Sequence, residues 1–564
     1  ISCSLVGSEM CIRDRYMKKP IKYLSFLLSI IFIIMCFTGC GGAGSTDAII
    51  EPIEGDALNF DDSNGVSVHD PSIYKSQDGT YYITGSHIAS AKSSDLINWN
   101  TISSGVFDSN RTLVAEGSTL RESYAKAFAW CDGAQRLFEK SEDEWETNVW
   151  ASDVIYNEAM GKYCYYACSS VWGTTASVIW MAVSDSPEGT FQFVDTMIYS
   201  GFSNRTTLFG KPKNQLHYSF TNINDLIENG TFTKDEVESK DWFDSDGNYN
   251  CSYGKYPNAI DPAAFYDKDG NLWLAYGSYS GGIYVMPLIE ETGMPDYDAM
   301  RNTNGYDIYF GKQISYTNEA TNGTGEGPFI VYDYESGYYY MFLTYGGLGA
   351  LDGYNIREYR SENPDGPYVD AAGSYATDMV STGTKIIGNY QFSTDEEAVL
   401  SPGHSSCLVD DDGRIYQVYH QRYNDGEGAF HNVQVHQMLR TANGWLTMLP
   451  LSYNGETASA VTTSDISGSY EAIFFSADTK NTDDWSKITD TIEPVSAAEI
   501  KDGIITIDGN EYQLKLDENS YTFTLNINGE TFYGAFCTGT KDGKNVMTLS
   551  AVSDGNRTLW AVAE

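Results

Sequence analysis

Residues 69–86 read HDPSIYKSQDGTYYITGS, which is a polar opening, a short apolar strand, a turn with Gly79 and a second, aromatic strand. Four later stretches repeat this order: SDVIYNEAMGKYCYYACS (152–169), IDPAAFYDKDGNLWLAYGS (260–278), GEGPFIVYDYESGYYYMFLTYG (325–346) and GHSSCLVDDDGRIYQVYH (403–420). Their turn glycines are Gly161, Gly270, Gly337 and Gly413. The spacing leaves room for four strands per repeat, so the pattern predicts a five-bladed β-propeller. A β-sandwich with ordinary hairpins is the alternative.

One position near the start of each repeat carries a chemically active side chain. These residues are Asp70, Asp153, Asp261, Glu326 and His404. In a propeller the first strand of every blade lines the central axis, so the five side chains would face one cavity. An Asp before Pro is by itself explained as a turn former. Turn formation does not explain five such residues at equivalent positions, because carboxyl groups gathered in one cavity raise one another's pKa and are costly without a function.

Several of these stretches together resemble glycoside hydrolase family 43, and within it the endo-α-1,5-L-arabinanases that have an additional C-terminal domain. The resembling stretches begin at Val68 (VHDPSIY), Asn258 (NAIDPAAFYDKDGNLWLAYGSYSGGIYVMPL), Gly325 (GEGPFI), Thr344 (TYGGLGALDGYNIREYRSENPDGPY), Pro402 (PGHSS) and Val433 (VQVHQM). They cover most of residues 66–455. Ser152 departs from the pattern, because the family commonly has Pro there.

The resemblance implies a role for three of the carboxyl groups. Asp70 would be the general base that activates water, and Glu326 the general acid that protonates the departing oxygen. Asp261 would orient Glu326 and raise its pKa. Inverting hydrolysis needs one ionised and one protonated carboxyl with room for water between them, which agrees with this division.

His404 resembles the imidazole that in these arabinanases holds a calcium ion, largely through water. Calcium prefers six to eight oxygen ligands, so a single histidine implies a mostly hydrated ion. A hydrogen-bonded core histidine is the alternative. The other histidines, including His69, His87, His420 and His436, are interpreted as structural.

Neutral sugars bind by stacking on aromatic rings and by hydrogen bonds from small polar groups. Five residues in or beside the central strands are the candidates for such contacts: Trp150, Asp153, Asn258, Ser278 and Tyr345. Each aromatic among them has an alternative place in the core, since β-strands are rich in aromatics.

The overall charge restricts the partners. The chain has 564 residues with 35 Lys and Arg against 77 Asp and Glu, a formal charge of -42. Such a field repels nucleic acid and anionic lipid. The charge therefore favours a neutral partner, and the resemblance implies a neutral polysaccharide, arabinan or arabino-oligosaccharides, as the substrate. We also expect a monomer and no membrane contact except through a lipid anchor.

The first sixty residues are interpreted as a targeting and anchoring segment. Residues 1–16 precede a signal start and are excluded from the fold as upstream or non-native sequence. Residues 17–40 combine three lysines with an apolar stretch of about 22 Å if helical, too short to span a bilayer. The stretch ends in a sequence that resembles a bacterial lipobox with Cys40 as the lipidated residue. Residues 41–60 form a tether, so the protein is expected outside the cytoplasm, at the cell surface or on the periplasmic side.

The predicted propeller occupies 61–457 and a second β domain 458–564. Alternating residues and Asp-Gly and Asn-Gly turns from Gly503 onward predict a small antiparallel barrel or sandwich. The predicted function is internal cleavage of α-1,5-L-arabinan. The alternatives are an exo-acting α-L-arabinofuranosidase or β-xylosidase, and a non-catalytic carbohydrate-binding lipoprotein, which would have no need of three buried carboxyl groups.

Overall fold

The computed structural model describes residues 58–60, 63–106, 110–138, 149–208, 214–251, 255–316, 325–378, 382–423 and 431–564. The predicted upstream residues, the signal peptide with Cys40 and the tether up to residue 57 lie outside these ranges. The five-bladed propeller and the all-β class are confirmed. A small hairpin, β1 (Leu58–Phe60) and β2 (Ser63–Gly65), precedes the first blade.

Each blade is an antiparallel sheet of four strands that follow one another along the chain. Blade I contains β3 (Ser72–Lys75), β4 (Tyr81–Thr84), β5 (Ala89–Ser93) and β6 (Trp99–Ser104). Blade II contains β7 (Val149–Asn157), β8 (Lys162–Ser170), β9 (Ser177–Ser184) and β10 (Gln192–Tyr199). Blade III contains β11 (Ala263–Tyr266), β12 (Leu272–Ser278), β13 (Gly282–Pro287) and β14 (Lys312–Ser315). Blade IV contains β15 (Glu326–Asp333), β16 (Tyr338–Tyr345), β17 (Asn355–Ser361) and β18 (Thr384–Ile387), and blade V contains β19 (Val399–Val409), β20 (Ile415–Tyr423), β21 (Asn432–Arg440) and β22 (Leu446–Met448).

The five first strands form a closed ring. In turn β3 contacts β7, β7 contacts β11, β11 contacts β15, β15 contacts β19, and β19 returns to β3. The five turn glycines of the repeat all have positive φ, which side chains with a Cβ rarely adopt, and this explains why glycine recurs there. The repeat in the sequence is therefore the hairpin of first and second strands, and its opening residues lie around the axis.

The helices are short additions between strands, and the sequence analysis did not place them. They are α1 (Leu120–Ser123), α2 (Ala125–Phe138), α3 (Asn222–Glu228), α4 (Lys234–Glu238) and α5 (Tyr297–Asn302), with 3₁₀ turns at Ser86–Ile88, Tyr218–Phe220 and Trp485–Thr491. In the described residues, none of the helices has the length and apolar character needed to cross a bilayer.

The C-terminal domain is a closed barrel, which decides between the barrel and the sandwich. Its strands are β23 (Gly468–Phe475), β24 (Val495–Lys501), β25 (Ile504–Ile507), β26 (Asn510–Leu516), β27 (Thr522–Ile527), β28 (Glu530–Lys541), β29 (Lys544–Ser553) and β30 (Thr558–Ala563). β23 pairs with β30 and closes the sheet. Closure leaves no unpaired sheet edge in this domain.

The connection between β23 and β24 packs on the loop that joins β16 to β17 in blade IV. The backbone N–H of Thr482 donates to the carbonyl of Leu351 at 2.9 Å. Ile488 packs with Ala350 in one apolar cluster. The buried Lys385 and Glu493 lie 3.6 Å apart across the same boundary. The second domain thus supports a loop that leads into the candidate site.

The cysteines of the described ranges form no disulfide. These cysteines are Cys131, Cys164, Cys168, Cys251, Cys407 and Cys537. All but Cys251 are buried. They serve as small apolar core residues.

Candidate active site

Asp70 lies just before β3 with φ 56°, a left-handed conformation that is uncommon outside glycine. Two neighbours hold it there. Its backbone N–H donates to Nδ1 of His420 at 3.0 Å, and the Ser86 hydroxyl donates to Oδ2 of its carboxylate. Asp70 is only 7% exposed. The base position is therefore fixed through both the backbone and the side chain.

The carboxylate of Asp70 is kept ionised. Burial opposes ionisation, but His404, His69 and the hydrogen bond from Ser86 outweigh it and lower the pKa of Asp70 to about 2. Nδ1 of His404 lies 3.1 Å from Oδ1, and Nδ1 of His69 lies 3.3 Å from Oδ2. A carboxylate of this kind is available as a base throughout the neutral range.

Glu326 is the first residue of β15. Burial raises its pKa to about 7, the charge of Asp70 adds to the rise, and a hydrogen bond from Tyr354 opposes it. The Tyr354 hydroxyl donates to Oε1, and the Ser278 hydroxyl donates to Oε2 at 3.2 Å. Glu326 can therefore be protonated near neutral pH, which is what a general acid requires.

Asp261 occupies the equivalent position before β11 and also has positive φ, 54°. Its Oδ2 accepts from the backbone N–H of Gly327 at 3.2 Å, the residue after Glu326. Burial, followed by the charges of Glu326 and Asp70, raises the pKa of Asp261 well above its usual range. The buried Asp261 and the partly buried Glu326 are thus neighbours that disfavour each other's ionisation.

His404 faces the same axis from blade V, on β19. Its backbone N–H donates to Thr344 Oγ1 at 2.8 Å, and burial lowers the pKa of its imidazole. A Cβ on Gly327 would lie 3.0 Å from the imidazole, so this close approach needs glycine. His404 therefore lies between the Asp70 side and the Glu326 side of the axis.

One small cavity joins these groups. Its walls include four of the five predicted opening residues, all except Glu326, together with the residues after them: Asp70, Pro71, Ser72, Ala151, Ser152, Asp153, Asp261, Pro262, Ala263, Gly327, Pro328, Phe329, His404 and Ser405. Its volume of about 20 Å³ is enough for one water molecule or ion. The predicted convergence on the axis is therefore present in the structure.

The predicted sugar contacts fall into different surroundings. Trp150 is partly exposed and makes an edge contact with Trp172 at 5.8 Å between ring centroids. The Ser278 hydroxyl donates a hydrogen bond to Glu326. Tyr345 has to be corrected: it is 2% exposed, its hydroxyl bonds to Tyr359, and Arg357 covers its ring at 4.6 Å. The side chain points into the core of blade IV.

Asp153 lines the axial cavity, whereas Asn258 is buried beside blade II, and both side chains make hydrogen bonds within the protein. The Asp153 carboxylate accepts from the Ser72 hydroxyl and from the backbone N–H of Ala264, which links three neighbouring blades. Burial raises the pKa of Asp153 to about 6. Asn258 Oδ1 accepts from two serine hydroxyls, those of Ser177 and Ser200. Both residues already have protein partners.

The sequence analysis missed four residues of the site. His69 and His420 were interpreted as structural, but both contact Asp70; the position of His69 directly before Asp70 was an available signal. His420 lies within β20 and carries no local signal. Tyr354 lies within one of the resembling stretches but was assigned no role. Trp172, which is 48% exposed, lies outside all of those stretches.

A propeller that gathers an ionised carboxylate and a carboxyl of raised pKa around one axis is typical of glycosidases. The chain belongs to family 43 of the glycosyl hydrolases: the model described as "Glycosyl hydrolases family 43" matches residues 219–446, and "C-terminal lipocalin-like domain" matches 450–561.

Three known proteins are similar over most of their length. Extracellular endo-alpha-(1->5)-L-arabinanase 2 of Bacillus subtilis is 32% identical over 514 residues, 88% of this chain and 92% of the relative. Extracellular endo-alpha-(1->5)-L-arabinanase of Thermotoga petrophila is 32% identical over 454 residues, 78% and 80% of the two chains. The crystal structure of the family 43 YxiA protein from Bacillus licheniformis has a TM-score of 0.69 at 31% identity, covering 88% of this chain and 98% of that one.

Proposed function

We propose that this protein hydrolyses internal α-1,5-L-arabinofuranosyl linkages of arabinan with inversion at the anomeric carbon. The observation that carries the proposal is the pair of carboxyl groups in opposite protonation states, Asp70 with a pKa of about 2 and Glu326 with a pKa of about 7. A glycosidase needs both states at one pH.

In this mechanism Asp70 accepts a proton from water as the water attacks the anomeric carbon. Glu326 donates its proton to the departing oxygen. Asp261 disfavours the ionised form of Glu326, while Tyr354 and Ser278 fix the direction of its carboxyl group. Each group acts through a contact that the fold already provides, so little reorganisation is needed.

Three observations support arabinan as the substrate. The similar proteins from Bacillus subtilis and Thermotoga petrophila are both named as extracellular endo-arabinanases. The formal charge of -42 disfavours polyanionic polysaccharides and permits a neutral one. The edge pair of Trp150 and Trp172 offers a partly exposed aromatic surface of the kind that sugars stack on.

We also infer a calcium ion near the axis, held by His404 and otherwise by water. The lining of the axial cavity supports such an ion, because it includes the imidazole of His404 and three carboxyl groups, of which Asp70 is kept ionised. An ion there would place positive charge beside Asp70. Calcium content of the purified protein, compared with a His404→Gln variant, tests this: the wild type should retain about one equivalent and the variant should lose it.

The location is a further proposal. We infer export and lipidation at Cys40, because the leader is too short to span a bilayer and the similar proteins are extracellular. Labelled palmitate should enter the wild type but not a Cys40→Ala variant. Equal labelling, or none in either, would contradict the anchor. The monomeric state is testable by light scattering.

The decisive assay is incubation with linear arabinan and sizing of the products over time. Mixed oligosaccharides at an early stage are expected for internal cleavage. Arabinose alone would support the exo-acting alternative, and no hydrolysis would support the binding protein. Glu326→Gln is the inactive control, and Glu362→Gln, at an exposed position of blade IV, is the matched control that should retain full activity.

A further inference from the structure

Three histidines form a compact cluster beside Asp70. The ring centroids of His69 and His420 lie 4.8 Å apart, those of His69 and His431 lie 4.0 Å apart, and those of His420 and His431 lie 4.9 Å apart. One ring nitrogen of each lies within 4.8 Å of the others. Blade V supplies two of the rings and the segment before β3 supplies the third.

The neighbours of each ring define its tautomer. Burial lowers the pKa of His69 to about 4 and that of His431 to about 2, and lowers the pKa of His420 still more clearly, so all three rings are neutral. His420 accepts the Asp70 N–H at Nδ1, so its Nε2 carries the proton. Arg422 can only donate, and its Nη2 lies 2.7 Å from Nε2 of His431, so that atom accepts.

His69 has the opposite tautomer from His420. Its Nδ1 lies 3.3 Å from the Asp70 carboxylate, which can only accept, so Nδ1 carries the proton and Nε2 holds a free lone pair. A three-histidine metal site needs a lone pair from every ring. Only His69 offers one without breaking an existing hydrogen bond, so this arrangement does not suit a resident metal ion.

Two nitrogens of the cluster are left without a partner. Nε2 of His69, an acceptor, and Nε2 of His420, a donor, are both buried and make no hydrogen bond within the described part of the chain. His420 is 0% exposed. A buried donor and a buried acceptor within one cluster of rings are each costly unless a bound group satisfies them.

A single hydroxyl group has the chemistry to satisfy both nitrogens. It donates its proton to one and accepts from the other, and with bonds of about 2.9 Å it can bridge two nitrogens up to about 5 Å apart. A carboxylate cannot donate, and an ammonium group cannot accept. The pair therefore favours a neutral group that both donates and accepts, of which a hydroxyl is the one that a neutral sugar supplies.

We propose that His69 and His420 bind one hydroxyl group of the arabinan chain next to the base Asp70. This inference rests on the proposed function, since the sugar is the source of the hydroxyl. It makes the two histidines determinants of substrate specificity at the same site. Bound water has the same chemistry, so the experiment must separate the two sources.

The test is equilibrium binding by calorimetry, in the Glu326→Gln variant so that the substrate survives. The probes are α-1,5-L-arabinotriose and analogues that each lack one hydroxyl. One analogue should bind about 10- to 100-fold more weakly than the parent sugar. Adding His69→Phe, which keeps the ring and removes its nitrogens, should reduce that penalty to less than about twofold.

Adding His217→Phe instead is the matched control, since His217 lies in the connection after blade II and bonds to Ser219. The full penalty should persist there. An unchanged penalty with His69→Phe, or equal binding of all analogues to the parent, would mean that the cluster holds only water and would overturn the proposal. His420→Gln provides a second test, and melting temperatures confirm folding. The binding measurement needs no cleavage, so the two claims are tested separately. Failure of the wild type to hydrolyse arabinan would contradict the proposed function alone.

Discussion

The hydroxyl of Tyr354 donates a hydrogen bond to Oε1 of Glu326; Glu326 begins β15, and Tyr354 directly precedes β17 of the same blade. Tyr354 is 1% exposed and its ring lies 5.9 Å from that of His420, which in turn holds the backbone of Asp70. One continuous set of contacts therefore connects the acid side of the site with the base side.

Replacing Tyr354 by Phe should shift the alkaline limb of activity upward. The hydrogen bond stabilises the ionised form of Glu326 and lowers its pKa, so its removal raises that pKa. We expect the pH at which kcat/KM falls to rise by about one unit. Tyr359→Phe, which removes another buried hydroxyl without touching Glu326, is the control and should leave the profile in place. A limb that stays fixed in Tyr354→Phe would argue against Glu326 as the acid.

Replacing Asp261 by Asn should shift the same limb downward. The Asp261 carboxyl is coupled to Glu326, and without it the ionised form of Glu326 is penalised less. Activity should then fall at a lower pH, with kcat reduced about 100-fold or more as the acid loses its proton and its support. Rates of arabinan hydrolysis from pH 4 to 9 measure both effects. A downward shift in Tyr354→Phe or an upward one in Asp261→Asn would contradict the assigned contacts.

Glu358 provides a stability test away from the site. It is 0% exposed, and burial raises its pKa to about 8. In the unfolded chain the carboxyl ionises near pH 4.5, so its stabilising effect is complete below that pH and is lost as the pH rises to about 8. Glu358→Gln should therefore gain melting temperature over the wild type between pH 5 and pH 8. Glu362→Gln, at an exposed position, is the control, and a gain that is the same at both pH values would contradict the raised pKa.

Trp172→Ala should weaken substrate binding with little effect on the chemical step. The ring is 48% exposed and packs edge-on against Trp150. Loss of a stacking surface should raise KM severalfold while kcat changes less than twofold. Tyr334→Ala, another strongly exposed aromatic, is the control. Equal KM values in the two variants would contradict a contact between Trp172 and the substrate.

The sequence carried enough information for the blades and for the axis. The repeat of strand, turn glycine and aromatic strand is local, so it can be recognised in the sequence alone. It correctly predicted that Asp70, Asp261, Glu326 and His404 lie around the axis. The side chains that contact these residues from distant parts of the sequence could not be predicted. His420 reaches Asp70 from a second strand 350 residues away, and no local pattern reports such a contact.

The error at Tyr345 has a physical reason. Successive residues of a strand point to opposite faces, and Tyr345 ends a strand whose aromatic residues fill the space between blades. The helices α1 to α5 were missed because they lie in the connections between strands, outside the repeat, and because all but α2 are short. Their positions depend on packing rather than on a periodic pattern.

The central claim is that Asp70 activates water for direct attack while Glu326 protonates the leaving oxygen. Proton NMR of the first product released from an α-1,5-L-arabino-oligosaccharide tests it most directly. We predict that the newly formed reducing end appears first as the β-anomer and equilibrates afterwards. Initial formation of the α-anomer would show net retention and would contradict the account.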